Sequence, residues 1–305
     1  MGRIQGVPHP FPYQGSKRQL AREIVSCIPA NTKRLVEPFV GSGAVTLACA
    51  RLHKAERYLL NDAHGSVVEL WRAIIHDPEG LARKYEQLWA DQRGRERAYY
   101  DQIRESFNRT EEPHFFLYLL ARCVKAAVRY NRNGEFNNSP DNRRRGMHPD
   151  TMRLNLRLAS ELLRGKAEVS CEDYRAVLCS LRSDDVVYMD PPYQGVCDRH
   201  NHRYVRGVDY QEFVESLAGL NEAGIPFLVS YDGRTGDKTH GRLLPKSLKL
   251  HRLEIQVGRS TQATLLGRDE VTVESLYLSH TLLGRLGKIP AVFSEKADLP
   301  LFASR

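Results

Sequence analysis

Arg34-Leu35-Val36-Glu37-Pro38-Phe39-Val40-Gly41-Ser42-Gly43 is the stretch on which the fold turns. The apolar run from Arg34 to Val36 predicts a short strand, stopped by Glu37-Pro38. Gly41-Ser42-Gly43 predicts a turn in which backbone can approach a ligand closely, and Ala44 to about Arg51 predicts the helix behind it. Outward from there, Arg57 to Leu60 reads as a second strand ending at Asn61-Asp62. Val67, Leu70, Trp71, Ile74 and Ile75 fall at helical spacing, and Leu20 to Cys27 reads as a helix on the other side. Strand, glycine turn, helix, strand, helix is the βαβ pattern of a parallel sheet.

The alternation pauses from Asp77 to about Lys166. Helical segments follow one another there, at roughly 79–92, 95–107, 114–128 and 150–164, with a polar loop from Tyr130 to Pro149 before the last. Strands resume at Ala167–Ser170, at Asp185–Met189 and at Ile225–Tyr231, with an amphipathic helix over Tyr210–Glu222. Leu250–Val257 and Val271–Leu278 predict an antiparallel edge hairpin, and no clear period follows Gly284. The expected organisation is a Rossmann-like, mostly parallel α/β core in two parts, 1–76 and 167–284, around a helical insertion at 77–166, with a tail at 285–305.

Of 305 residues, 41% are apolar and 27% charged, which excludes a wholly disordered chain. Phe115 to Ala121 is the longest apolar stretch and is too short to cross a bilayer, and Met1 to Gly6 carries no signal-type apolar region. Six scattered cysteines without a CxxC pair, and histidines without zinc spacing, predict reduced thiols, a cytoplasmic setting and no structural metal. The net charge of +8 favours a polyanionic partner. Arg129 to Lys166 holds nine basic and four acidic residues, which is most of that excess.

Four polar turns follow four apolar strands: Glu37–Gly43, Asn61-Asp62, Cys171–Tyr174 and Asp190–Tyr193. Open α/β sheets bind ligands outside the carboxyl ends of their strands, so these turns are expected to share one rim. Thr46 stands where a dinucleotide fingerprint has its third glycine, which argues against a nicotinamide dehydrogenase. Asp62, 19 residues past Gly43, is placed to hydrogen-bond ribose hydroxyls. Asp190-Pro191-Pro192-Tyr193 is a rigid turn with no N–H at the two prolines. Fixed acceptors beside an aromatic face suit an exocyclic amine on a flat heterocycle, although a capped strand end also fits the tetrapeptide alone.

These residues resemble the Dam-type (D12, α-class) S-adenosylmethionine-dependent DNA adenine-N6 methyltransferases over most of residues 10–280. Phe11 to Lys17 is similar to that family's N-terminal cofactor motif, with Tyr13 where tryptophan is common. Leu35 to Gly43 is similar to its FxGxG motif, Arg129 to Asn137 to its RYNxxGxFN segment, and Asp190 to Tyr193 to its DPPY. The order of these motifs is that of the α-class. The resemblance implies cofactor contacts from Tyr13, Gly15 and Lys17, with Lys17 near the cofactor's carboxylate end. Glu37, Phe39, Gly41 and Gly43 would line the methionine side and Asp62 the ribose. Asp173 and Tyr174 would lie near the cofactor's adenine, and Asp190 is counted among the cofactor contacts as well. Asp190, Pro191, Pro192 and Tyr193 would hold a flipped-out target adenine. Arg132, Asn133, Arg143, Arg144 and Arg145 are the expected contacts to double-stranded DNA, joined by Arg199 and Arg203 from a second basic loop. A monomer or weak dimer is expected, with a cognate restriction endonuclease or defence system as an open accompaniment. An RNA adenine-N6 methyltransferase and a catalytically silent DNA-binding module are the alternatives.

Overall fold

The computed structural model describes residues 4–192, 207–235, 238–259 and 271–294. Its strands are β1 (Thr32–Glu37), β2 (Ala55–Asn61), β3 (Ala167–Ser170), β4 (Asp185–Met189), β5 (Phe227–Thr235), β6 (Lys238–His240), β7 (His251–Arg259) and β8 (Val271–Leu278). They form one sheet in the order β3-β2-β1-β4-β5-β8-β7, with the short β6 paired to β5. The pairs among β1 to β5 are parallel. β8 runs antiparallel to both β5 and β7, so the expected hairpin forms and closes this edge. Strand order reverses between β1 and β4, and the crevice outside their carboxyl ends is the switch point where such sheets bind ligands.

The apolar runs are continuous because both faces of the sheet are covered. Successive side chains of a strand point to opposite faces. Leu35, Leu60, Val186 and Leu228 therefore join one core cluster, while Val36, Leu59, Val187 and Val229 join the other. The first cluster contains residues of α1 (Ala21–Ser26), α2 (Ala44–Arg51) and α3 (Gly65–His76); the second contains residues of α8 (Tyr174–Cys179) and α9 (Tyr210–Glu222).

The helical run lies in the β2–β3 crossover. It comprises α3 to α7, the later members being α4 (Pro78–Asp91), α5 (Glu96–Thr110), α6 (Pro113–Arg122) and α7 (Pro149–Leu163). α7 packs back on α2, α3 and α4, and α6 on α3, α4 and α5. Tyr85, Phe107, Phe116 and Leu156 belong to the same cluster as Leu35 and Trp71, so this layer shares its core with the sheet.

The helix expected over 114–128 stops at Arg122. The Asp141 N–H donates to Arg122 O, and the Asn138 amide donates to Val124 O and Ala127 O, replacing helical bonds. Lys125 and Ala126 then take φ of 58° and 50°. Side-chain competition for backbone groups ends helices this way, and its source lies more than ten residues downstream in sequence. After β8, Ser279 caps a helix α10 (His280–Leu286) whose Leu282 is buried, followed by α11 (Ala291–Ser294). Residue 284 thus lies inside a helix, one too short to display a period. No helix among the described residues is long and apolar enough to cross a membrane.

Candidate active site

β1 ends at Glu37, and the chain then turns sharply. Gly43 N–H donates to Val40 O at 2.7 Å, while Gly41 and Gly43 take φ of 44° and 58°. Positive φ favours glycine at both positions. Asp62, at the end of β2, fastens this turn. Its Oδ2 accepts from Gly41 N and its Oδ1 from His64 N, each at 3.0 Å.

Asn61 beside it is fully buried and links three rims. Its amide donates to Pro38 O and Glu172 O, and its Oδ1 accepts from Ser170 Oγ and Glu172 N. The turns after β1, β2 and β3 are thereby held together. Asn61 carried no functional expectation; its one signal in sequence is a polar residue completing an apolar strand.

Gly43 is not among the cavity-lining residues, although its neighbours Ser42 and Ala44 are, and it has a packing part. A Cβ at Gly43 would lie 2.5 Å from Trp71 Cζ2, and the fully buried Trp71 donates its indole N–H to Gly41 O at 2.9 Å. Gly43→Ala therefore meets both a backbone and a packing penalty, and is expected to lower unfolding free energy by about 2–4 kcal/mol. Denaturant titration of the variant checks this; a loss under about 0.5 kcal/mol would contradict it.

The N-terminal segment spans from this turn to the turn after β4. Gly15 takes φ of 82°, Ser16 Oγ lies 2.8 Å from Ser42 Oγ, and Gln14 N–H donates to Ala126 O. Lys17 Nζ lies 2.9 Å from Asp190 Oδ1 and 3.5 Å from Glu274 Oε2 of β8. Pairing Lys17 with the turn after β4 was not legible in sequence, because 173 residues separate Lys17 from Asp190.

All these turns open into one cavity of about 880 Å³. Of the expected residues, Tyr13, Gly15, Lys17, Glu37, Phe39, Gly41, Asp62, Asp173, Tyr174, Asp190, Pro191 and Pro192 line it. Tyr174 is buried against Phe39, with ring centroids 5.2 Å apart, and forms an aromatic wall. Asp173 caps α8 and holds Arg175 through both carboxylate oxygens. Ser16, Ser42, His64, Val128, Tyr188 and Glu212 also line the cavity, and none carried an expectation. Tyr193, Arg199 and Arg203 lie outside the described residues.

Among the charged residues that line the cavity, acids outnumber bases. Burial pushes the Asp62 and Asp190 carboxyls up to about 6 and the Glu37 carboxyl up to about 8. Lys17 opposes the shift at Asp190, and the Thr46 hydroxyl, donating to Glu37 Oε1 at 2.6 Å, opposes it at Glu37. Burial also pulls His64 down to about 4; its ring lies against Phe116 and Tyr130. Displaced pKa values in a cleft mark functional sites more often than chance.

The Arg129–Asn137 segment forms a tight hairpin beside this cavity. Asn137 N–H donates to Arg129 O, Asn131 Oδ1 accepts from Asn133 N and Glu135 N, and Gly134 takes φ of 78°. Phe136 is buried among Phe107, Phe116 and Tyr130, and Asn108 of α5 bonds its backbone at both N–H and C=O. Most of the segment thus builds the hairpin, leaving Arg132 and Asn133 exposed at its tip. Arg143, Arg144 and Arg145 are exposed as well. Their backbone is anchored: Arg122 bonds Arg144 O, and Gln92 donates to Arg145 O at 3.0 Å. The exposed guanidinium groups of Arg143 and Arg144 pair with the buried Asp141, and that of Arg145 with the partly exposed Glu96.

Comparison with known proteins agrees with this geometry. The family model described as D12 class N6 adenine-specific DNA methyltransferase matches residues 13–258. A DNA adenine methylase of Serratia marcescens is 32% identical over 271 residues, covering 85% of this chain and 94% of the relative. One from Vibrio cholerae serotype O1 is 27% identical over 269 residues, covering 85% and 91%. The retron Ec67 DNA adenine methylase of Escherichia coli is 30% identical over 224 residues, covering 72% and 75%. The match begins at the cavity-lining Tyr13, runs past the turn after β4 and ends within β7: the chain belongs to the D12 class of N6 adenine-specific DNA methyltransferases.

Proposed function

We propose that the cavity binds S-adenosylmethionine and, beside it, an adenine flipped out of duplex DNA, and that Asp190 holds the adenine's amino group for methylation at N6. The observation that carries this reading is the opening of the glycine turn and the Asp190 turn into the same acidic cavity.

The residues present fit the cofactor. The volume lies within the range of small-molecule sites. Among the described residues, seven acidic ones (Glu37, Asp62, Glu172, Asp173, Asp190, Asp209, Glu212) line the cavity against the two cations Lys17 and Arg175, an excess that suits a cationic ligand, and Phe39 with Tyr174 offers flat apolar walls. A Cβ at Gly41 would press on the Tyr13 ring at 3.2 Å and narrow the cradle. When bound, S-adenosylmethionine supplies a methyl group already activated on a sulfonium, so the protein's work is positioning and electrostatics.

The N6 amine is a weak nucleophile because its lone pair is delocalised into the ring. Acceptors at Asp190 and the Pro191 carbonyl draw on its N–H groups, favour a pyramidal nitrogen and stabilise the positive charge that grows during attack. The N6–carbon bond would form as the donor's sulfur–methyl bond breaks, leaving a neutral thioether, and the surplus proton on N6 would pass to water. The target reaches this pocket only outside the stack, at a cost of a few kcal/mol. Asp190 is an acceptor when ionised. Its pKa near 6 places the acid limb there, so the rate is expected to fall about tenfold per pH unit below it and to level off above. A single-turnover rate that stays flat to about pH 4.5 would contradict this role.

The primary test supplies methyl-labelled S-adenosylmethionine with unmethylated duplex DNA and, separately, RNA. The expected product is N6-methyladenine in DNA at one short recurring sequence, mapped by sequencing. Label in RNA alone, or none in either, would overturn the reading.

A further inference from the structure

Two carboxylates, not one, hold the Lys17 ammonium. Lys17 is 6% exposed. The nearer acid is Asp190, at 2.9 Å, and the other is Glu274, at 3.5 Å. Glu274 stands on β8, which carries none of the sequence motifs. A particular strand geometry brings it to the rim. Glu274 pairs with Gly233 of β5, just beyond a register shift between Ser230 and Gly233. A Cβ at Gly233 would lie 2.7 Å from Val273 O, so glycine there permits the close approach of β8. Irregularities of this kind re-aim side chains beside active sites. Glu274 Oε2 is buried and accepts no hydrogen bond among the described residues.

The pairing poses a chemical conflict. Lys17 engages Asp190 through Oδ1, so a target amine seated on Asp190, as proposed above, shares the same carboxylate charge and weakens its hold on Lys17. A buried ammonium without an anion is strongly disfavoured, so a second anion is needed within reach. We propose that Glu274 is a positioning residue for methyl transfer: it takes the Lys17 ammonium when the target amine is seated on Asp190. The trio then keeps one net negative charge, facing the nitrogen as that atom becomes positive.

The groups facing Asp190 are Lys17 from the N-terminal segment, Glu274 from β8, Glu37 from β1 and Tyr188 from β4. Lys17 holds the Asp190 carboxyl down, while the Glu274 charge holds it up. Removing the Glu274 charge commits Lys17 to Asp190. The rate should then fall while the acid limb moves to lower pH.

The test compares Glu274→Gln, Glu274→Asp and Asp190→Ala with the unaltered protein. Steady-state methylation of a duplex carrying the mapped site is followed across pH, S-adenosylmethionine binding by calorimetry, and flipping by 2-aminopurine fluorescence at the target position. Glu274→Gln is expected to lower kcat about tenfold with KM for DNA within about twofold. Its acid limb should shift down by about half a unit to one unit, with cofactor affinity and flipping retained. Glu274→Asp should recover most of the rate. An unchanged kcat and acid limb in Glu274→Gln, or a loss confined to cofactor binding, overturns the proposal. An active Asp190→Ala removes the underlying reading of Asp190 instead. An inactive Asp190→Ala beside an unaltered Glu274→Gln removes only the role of Glu274.

Discussion

Asp190→Ala is expected to lower the single-turnover rate of methyl transfer about a thousandfold, while the proposed S-adenosylmethionine binding should change by less than about threefold. The magnitude follows from removing a preorganised acceptor aimed at developing charge, where one such group is worth roughly 10²–10³ in rate, together with lost positioning of the amine. The selectivity follows from geometry. Phe39, Asp62, Asp173 and Tyr174 line the cavity from the turns after β1, β2 and β3, whereas Asp190 follows β4. Folding is protected because Lys17, after losing Asp190, still has Glu274 within 3.5 Å. Asp190→Asn separates charge from shape. It keeps the volume and one acceptor oxygen, and is expected to retain a residual rate above that of Asp190→Ala. Rapid-quench assays with labelled cofactor, equilibrium cofactor titration and thermal melts of each variant check this. Full activity in Asp190→Ala would end the mechanism.

Replacing Arg143, Arg144 and Arg145 together by glutamine is expected to weaken duplex binding about tenfold to a hundredfold at about 0.1 M salt, and to lower the slope of log K against log salt by up to about 2.7. These three guanidinium groups are exposed on a backbone fixed by Arg122 and Gln92. Their guanidinium ends are exposed and so able to reach phosphates, although Arg143 and Arg144 also pair with the buried Asp141. Arg122 and Gln92 still bond the loop's backbone carbonyls in the variant, and thermal melts separate any stability lost at Asp141 from lost DNA contact. Fluorescence anisotropy across a salt series reads both quantities. An unchanged slope would reject phosphate contact by this run, and a uniform loss over target and non-target duplexes would assign it to backbone positioning rather than base reading.

Local signals carried much of the architecture. The strand at Arg34–Val36, the turn at Gly41–Gly43 and the helix beginning at Ala44 announce themselves through apolar runs and glycine placement, and the structure has them at those positions. The polar turns converge because a parallel sheet puts every strand's carboxyl end on one side, so the strand pattern alone groups Glu37, Asp62, Asp173 and Asp190. Other features depend on neighbours remote in sequence. The end of α6 at Arg122 is imposed by Asn138 and Asp141. The requirement for glycine at Gly43 comes from Trp71, 28 residues on, and concerns packing rather than ligand contact. In the Arg129–Asn137 segment, Asn131 and Phe136 build the hairpin that leaves Arg132 and Asn133 exposed at its tip.

Alternating apolar and glycine-rich segments, together with four short motifs in a fixed order, were enough by themselves to place this chain in its fold and its enzyme family. Hydrophobic period and turn chemistry are short-range properties, written within a few residues of where they act. The partners of Lys17, the reach of Glu274 from a motif-free strand and the binding of three rims by Asn61 were decided by the tertiary structure alone. These are charge and hydrogen-bond contacts between groups up to 257 residues apart, formed only once the strands have paired.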